Sequence, residues 1–158
     1  MTRGRLTGVR WIGAALLLAA VALPAARAVE ILQSPAEPSD ALWTAIVYEE
    51  SGGDSTAYNT LEQAAGVVQI RPVCLNDINR IARIKRLETR FALPDRFDPD
   101  KARRMWDLYL SYYGHEYERE TGRPPTDEVY ARIWNGGPYG WQKDSSLDYW
   151  NRVRAAMN

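Results

Sequence analysis

Three short segments of this chain place a carboxyl or amide side chain beside glycine. Glu50 precedes a Ser-Gly-Gly sequence, Gln69 ends a Gly-Val-Val-Gln sequence, and Asn135 lies between a tryptophan and two glycines. A carboxyl group on a mostly apolar helix can act as a general acid, because burial disfavours its charged form and raises its pKa. Amide side chains can hydrogen-bond an acetamido group. The three segments therefore predict acid catalysis on an N-acetylated sugar.

Two adjacent glutamates compete for the role of the acid. On a helix, Glu49 and Glu50 point about 100° apart, and the centre of the preceding apolar arc lies about 35° from Glu50 and about 65° from Glu49. We therefore assign the acid to Glu50. Periodicity alone leaves a second interpretation open, in which both glutamates are solvated residues at the end of an amphipathic helix.

The order and spacing of these segments resemble the family of lytic transglycosylases and goose-type lysozymes. In that family a Glu-Ser pair precedes a Gly-x-x-Gln segment, and an aromatic-Asn-small-Gly segment follows later; the match here covers roughly residues 40–155. The resemblance implies a mainly α, lysozyme-like fold with a substrate groove between its lobes. It also implies cleavage of the β-1,4 bond between N-acetylmuramic acid and N-acetylglucosamine in peptidoglycan, with Glu50 as general acid and then base.

The same resemblance implies substrate-binding roles for Ser51, Gly66, Gln69, Trp134 and Asn135. Gln69 would hydrogen-bond the sugar or the catalytic region, Gly66 would let the backbone approach, and Asn135 would bind an acetamido group or hold the acid. Ser51 is expected to cap or orient rather than to act as a nucleophile. The alternative for the amide residues is loop scaffolding, because asparagine before glycine is a common turn former.

One departure from the family concerns the aromatic residue before the asparagine. The family usually has tyrosine there, whereas this chain has Trp134. Tyr112 or Tyr113 could supply the missing hydroxyl, and Trp134 could stack on a sugar face instead. The departure also supports an alternative function, a peptidoglycan-binding or assembly protein that has kept the groove and lost turnover.

The number of carboxylates bears on the type of reaction. Ordinary glycosidases use two carboxylates, whereas the resemblance implies that lytic transglycosylases use one and form a 1,6-anhydromuramic end without consuming water. Asp54 and Glu62 are the candidates for a second carboxylate, and Asp54 has the features of a turn residue. We therefore predict a non-hydrolytic transglycosylase, with a hydrolytic lysozyme as the alternative and Glu62 as its second carboxylate.

The amino terminus has the features of an export signal. Arginines precede an apolar run at residues 12–23, and an Ala-Arg-Ala cleavage pattern ends at Ala28. We predict a signal peptide at residues 1–28, a short spacer at 29–38 and one domain at 39–158. The protein is then exported, to the periplasm or the medium, without stable membrane insertion after cleavage.

Composition limits the partners and cofactors. Removing residues 1–28 removes four of the 20 basic residues and none of the 20 acidic ones, which leaves a net charge near −4 and argues against nucleic acid. The chain has one cysteine, Cys74, and one histidine, His115, so we expect neither a metal site nor a cofactor. We expect the protein to be a monomer, and its expected partner is the glycan strand of peptidoglycan. A secretion or cell-wall machinery is left open.

Five helices must position these segments. Capping residues, prolines and glycines mark their ends. We predict helices at 40–51, from Pro72, from Pro99 to before Gly122, from Thr126 into residues 134–135, and near 146–156, with at most a small hairpin within 55–70. The tyrosine stripes of the long helix are expected in the core.

Overall fold

A computed structural model of the protein describes residues 37–157, in which helices predominate. Five α-helices and one hairpin follow in the order α1 Asp40–Ser51, β1 Tyr58–Asn59, β2 Ala64–Ala65, α2 Pro72–Ile84, α3 Pro99–Thr121, α4 Asp127–Gly136 and α5 Leu147–Ala156. Short 3₁₀ helices lie in the connections at Leu93–Phe97, Gly140–Gln142 and Asp144–Ser146. The mainly α fold class is therefore confirmed. The predicted signal peptide and most of the spacer lie outside the described residues.

Local side-chain chemistry fixes the helix ends that the sequence predicted. The Ser39 hydroxyl accepts a hydrogen bond from the Leu42 amide at 3.1 Å and caps α1, which ends at Gly52 in the left-handed region. The Asp98 carboxylate caps α3 in the same way. Ser39 also donates to the Asp127 carboxylate at 3.0 Å, so the starts of α1 and α4 are held together.

The core forms around the indole of Trp106 on α3, which is fully buried. The rings of Trp43 and Trp134 contact it edge to face at centroid distances of 5.3 Å and 6.5 Å. The Arg103 guanidinium lies over both Trp43 and Trp106. Burial of such large rings contributes several kcal/mol each, and this packing fixes α1 and α4 against the long helix. No helix within residues 37–157 is long and apolar enough to cross a membrane.

The hairpin leads into a loop that contacts the carboxyl end of α1 through Ser51 and Val67. Its two strands pair antiparallel, with Tyr58 opposite Ala65, and Ala65 bridges in turn to Ile70. The Gly66 amide donates to the Ala57 carbonyl at 2.9 Å. The chain between the strands and α2 is thereby folded into a compact loop beside Ser51, and this loop carries the predicted glutamine.

Candidate active site

One groove of about 1000 Å³ collects most of the predicted site residues. Its walls come from the end of α1, the loop after the hairpin, α2, α3, the end of α4, and α5. Of the predicted residues, those that line it are Glu50, Glu62, Gln69, Trp134 and Asn135. The three sequence segments therefore meet at one surface, although Glu50 and Asn135 are 85 positions apart in the chain.

Glu50 has the environment of a carboxyl group that is partly protonated at neutral pH. Its Oε1 accepts a hydrogen bond from the Tyr149 hydroxyl at 2.7 Å. Burial raises the pKa of Glu50 to about 7; the Tyr149 hydrogen bond partly opposes this rise, and the charge of Glu49 adds to it. Glu49 forms an ion pair with Arg152 instead of a buried contact. The assignment of the acid to Glu50 rather than Glu49 therefore has a physical basis.

Tyr149 was not predicted, although it contacts Glu50 directly. It lies on α5 with only 4% of its surface exposed, and burial together with the neighbouring Glu50 raises its own pKa well above the usual value. A protonated phenol is therefore available as a donor throughout the physiological range. The available signal was helical spacing, because Tyr149 is four residues before the buried Val153. Nothing in the sequence indicated a contact across 99 positions.

Gln69 lies at a strained position of the loop. Its φ of 52° is in the left-handed region, and its side-chain amide donates to the carbonyls of Ala57 (3.3 Å) and Gly66 (3.0 Å). Strained φ values in non-glycine residues persist only where surrounding contacts enforce them. Both donor hydrogens are directed to backbone, and the side-chain carbonyl of Gln69 has no protein donor among the described residues. That oxygen can accept a hydrogen bond from a ligand in the groove.

Ser51 and Gly66 are predicted substrate-binding residues whose contacts are with backbone. The Ser51 hydroxyl donates to the Val67 carbonyl at 2.8 Å and accepts from the Gly53 amide at 3.2 Å. Gly66 has a φ of 77°, and a Cβ there would lie 1.8 Å from the carbonyl oxygen of Arg96. Both residues tie the loop to its surroundings, and the substrate-binding role stays a prediction for them.

Arg96 is a buried cation that the sequence analysis did not single out. Its guanidinium donates to the carbonyls of Gln63 (2.6 Å), Ile70 (2.7 Å) and Leu93 (3.0 Å), and only 5% of the residue is exposed. Gln63 and Ile70 lie on either side of segment 64–69. Leu93 lies in the same 3₁₀ helix as Arg96, so one guanidinium ties the loop to that helix. Arg96 therefore fixes the loop that carries Gln69 through its backbone carbonyls, and Ser51 on α1 does the same through the Val67 carbonyl.

The α4 end of the groove is formed by Trp134 and Asn135. The Trp134 ring packs against Tyr109 (5.8 Å between centroids) and Trp106, so its position is fixed by the core. Asn135 is exposed at the end of α4, and no hydrogen bond of its side chain is present within residues 37–157. Its amide is therefore available to a ligand. The tyrosine that contacts the acid is Tyr149, neither of the two considered from the sequence.

The second carboxylates proposed from the sequence differ in position. Glu62 lines the groove, is about half exposed, and pairs with Arg71 at 3.3 Å. Asp54 accepts hydrogen bonds from the amide and hydroxyl of Thr56, as expected of a turn residue, and does not line the groove. Asp77 also lines the groove and accepts from Tyr113 at 2.5 Å. Glu62 is therefore the better placed of the two predicted candidates.

The remaining groups do not suggest a metal or a covalent nucleophile. Among the described residues, no three histidines, cysteines or carboxylates come together as a metal site would require. Cys74 lines the groove on α2, and burial raises the pKa of its thiol to about 12. The chemistry available in the groove is that of a protonated carboxyl group, oriented by a phenol and surrounded by amide, indole and charged side chains.

The chain has a lysozyme-like fold. It superposes on the crystal structure of Tapes japonica lysozyme with a TM-score of 0.60 and 21% sequence identity, over 77% of this chain and 92% of that one. A chain in the crystal structure of Aeromonas hydrophila PliI in complex with Meretrix lusoria lysozyme gives the same TM-score, with 23% identity over 78% and 93% of the two chains. At these identities the likeness establishes the fold alone.

In sequence, the chain is 40% identical to the lysozyme of Meretrix lusoria over 47 residues. This segment is 30% of the present chain, and it spans only 38% of the curated relative's length. No family model matches the chain. These relatives are lysozymes, and none is described as a goose-type lysozyme or a lytic transglycosylase. The finer family assignment made from the sequence motifs therefore stays a prediction.

Proposed function

We propose that the chain cleaves the β-1,4 bond between N-acetylmuramic acid and N-acetylglucosamine in peptidoglycan. The observation that carries the proposal is the environment of Glu50, a groove-lining carboxyl group whose pKa is raised to about 7 and which a buried phenol orients. Raised carboxyl pKa values in clefts are typical of general acids, and in glycosidases such an acid protonates the oxygen of the glycosidic bond. The lysozyme relatives support the same substrate class.

In the first step Glu50 donates its proton to the glycosidic oxygen, and the bond between that oxygen and C1 breaks. Tyr149 holds the carboxyl group by donating to Oε1, which leaves the other oxygen to carry the proton toward the substrate. Glu50 is then a carboxylate and can accept a proton from the group that attacks C1. Asn135 and the free carbonyl of Gln69 are proposed to bind acetamido and hydroxyl groups, since both residues line the groove.

We propose hydrolysis as the outcome, because the relatives are lysozymes and because Glu62 supplies a second carboxylate in the groove. In this reaction water attacks C1, and Glu62 stabilises the cationic sugar or activates the water. The second candidate is the transglycosylation predicted from the sequence. One observation favours it: Arg71 already pairs with Glu62 and neutralises it. In that reaction the C6 hydroxyl of the muramic acid attacks C1.

Export is part of the proposal, since the substrate lies outside the cytoplasm. The predicted signal peptide at residues 1–28 would deliver the domain to the periplasm or the medium. The glycan strand is the proposed partner.

Mass spectrometry of the fragments released from purified sacculi tests both the function and the type of reaction. We expect soluble fragments with reducing muramic ends, and Glu50→Gln should abolish their release while binding to sacculi persists. Fragments that are one water lighter and have 1,6-anhydro ends would show that the reaction is transglycosylation and not hydrolysis. Tyr48→Ala is the matched control, because Tyr48 is exposed on the same helix and lies outside the groove.

The same experiment distinguishes an enzyme from a peptidoglycan-binding protein that has no catalytic activity. Folded protein that sediments with sacculi and releases nothing, with either residue at position 50, would overturn the enzymatic proposal. Restored release in Glu50→Asp, at a lower rate, would add support, because only a carboxyl group can deliver the proton.

A further inference from the structure

A second, smaller cavity adjoins the groove and is lined mainly by aromatic rings. It has a volume of about 260 Å³, and its aromatic residues are Tyr112, Tyr113, Tyr117, Tyr139 and Trp141. Tyr117 and Trp141 meet edge to face at a centroid distance of 5.1 Å, and Tyr112 and Tyr113 do so at the same distance. Tyr112 and Tyr113, which the sequence analysis considered as replacements for the family's tyrosine, line this cavity, whereas none of the predicted catalytic or substrate-binding residues does. We call it the aromatic pocket.

The aromatic pocket is continuous with the groove that contains Glu50. Arg80, Tyr113 and Pro138 line both cavities. Arg80 is held at this junction, because it donates to Tyr113 (3.0 Å) and Asp77 and lies over the Tyr112 ring. A linear ligand that fills the groove can therefore extend past Arg80 into the aromatic pocket.

The charges around the aromatic pocket distinguish between ligand classes. Arg80 is paired with Asp77, and Arg119 with Glu116, so neither arginine brings uncompensated positive charge. Glu120 also lines the pocket and has no ion-pair partner among the described residues. The remaining charge is negative and disfavours a carboxylate-bearing peptide. Flat aromatic faces with phenolic and indole hydrogen-bonding groups suit an uncharged sugar ring.

We propose that the aromatic pocket is a distal subsite that binds an uncharged N-acetylhexosamine ring of the strand held in the groove. The inference rests on the proposed function and adds to it a specific contact far from Glu50. Binding energy from such a remote contact lowers the dissociation constant of long oligosaccharides and leaves that of short ones unchanged. The subsite predicts a step in affinity at the chain length that first reaches Tyr139 and Trp141.

The test measures binding of N-acetylglucosamine oligomers, from the dimer to the octamer, to the full chain carrying Glu50→Gln, which prevents turnover. Tyr139→Ala is the informative variant, because Tyr139 is 59% exposed and its removal does not disturb the core. We expect about three- to tenfold weaker binding of the long oligomers and no change for the short ones. Tyr48→Ala, which removes an exposed tyrosine outside both cavities, should change neither.

Trp141→Phe provides a second variant, which retains an aromatic ring and should give a smaller loss with the same dependence on length. Equal losses at all lengths, or no loss at any length, would overturn the subsite. The subsite would also be overturned if the wild type cleaved sacculi but the Glu50→Gln protein bound no oligomer, since the pocket would then not bind an uncharged sugar. Failure of the wild type to cleave sacculi would instead count against the proposed function.

Discussion

At the scale of single residues, the proposed chemistry depends on the balance between burial and one hydrogen bond at Glu50. Burial raises the pKa of its carboxyl group, whereas the Tyr149 hydroxyl stabilises the charged form and limits the rise. The balance places the pKa at about 7, so a large fraction of the molecules carry the proton in neutral solution and can also release it. Two substitutions test this balance.

Replacing Tyr149 by phenylalanine removes the hydrogen bond and keeps the ring. The pKa of Glu50 should then rise above 7, which shifts the alkaline limb of the activity profile to higher pH, while kcat falls about tenfold because the acid is less well oriented. The measurement is the pH dependence of sacculus digestion. A lower kcat with an unmoved alkaline limb would mean that Tyr149 serves only in packing. Tyr48→Phe serves as the control.

Replacing Glu50 by glutamine should stabilise the protein at alkaline pH. The folded pKa of about 7 lies above the ordinary value of 4.5 for a glutamate, so the folded state binds the proton more tightly and the free energy of unfolding falls as the pH rises between these values. Glutamine has no proton to lose and escapes this loss. We expect a gain of about 1–3 kcal/mol at pH 8 and no difference at pH 4, measured by urea unfolding. If the wild type and Glu50→Gln were equally stable at both pH values, the pKa of Glu50 could not be raised by burial.

At the scale of elements, the loop between the hairpin and α2 is the part that must be held most tightly. Its contacts come from Ser51 on α1 and from the buried guanidinium of Arg96, and both donate to backbone carbonyls. Gly66 allows the backbone of Arg96 to approach within the space that a side chain would fill. The loop therefore keeps the strained conformation of Gln69 through contacts with two separate parts of the chain.

Two glycine substitutions separate this close approach from a simple preference for a positive φ. Gly66→Ala must move a backbone carbonyl, because its Cβ would lie 1.8 Å from the Arg96 oxygen, whereas Gly52→Ala meets nothing within 4 Å. Both positions have a positive φ. We expect a loss of about 1 kcal/mol at Gly52 and about 3 kcal/mol or more at Gly66, from thermal unfolding. Similar losses would show that the loop yields easily.

The helices were predictable from the sequence because side chains close in the chain determine where each helix begins and ends. Ser39, Asp98 and Thr126 each cap the helix that follows, and the predicted and observed ranges agree for α1. The contacts of Tyr149 and Arg96 were not predictable in this way, because each joins segments far apart in the chain. Hydrophobic spacing indicates that a side chain is buried and does not indicate which polar group it meets.

At the scale of the whole molecule, net charge should affect how the protein approaches the proposed substrate. The predicted mature chain has a net charge near −4, and a peptidoglycan substrate that carries peptide carboxylates would repel it. Added salt screens their repulsion. We expect digestion of sacculi to rise about twofold between low and physiological ionic strength. Cleavage of uncharged oligosaccharides is the control and should not change; a fall in both rates would indicate that salt weakens the groove itself.

Cys74 has a consequence for oxidative chemistry. Disulfide exchange and thiol oxidation proceed through the thiolate, and a pKa of about 12 leaves almost none of it at neutral pH. The chain carries no second cysteine with which to pair. We therefore expect the Cys74 thiol to react slowly with disulfides at neutral pH, so that covalent dimers of the chain form slowly even where no reductant is present.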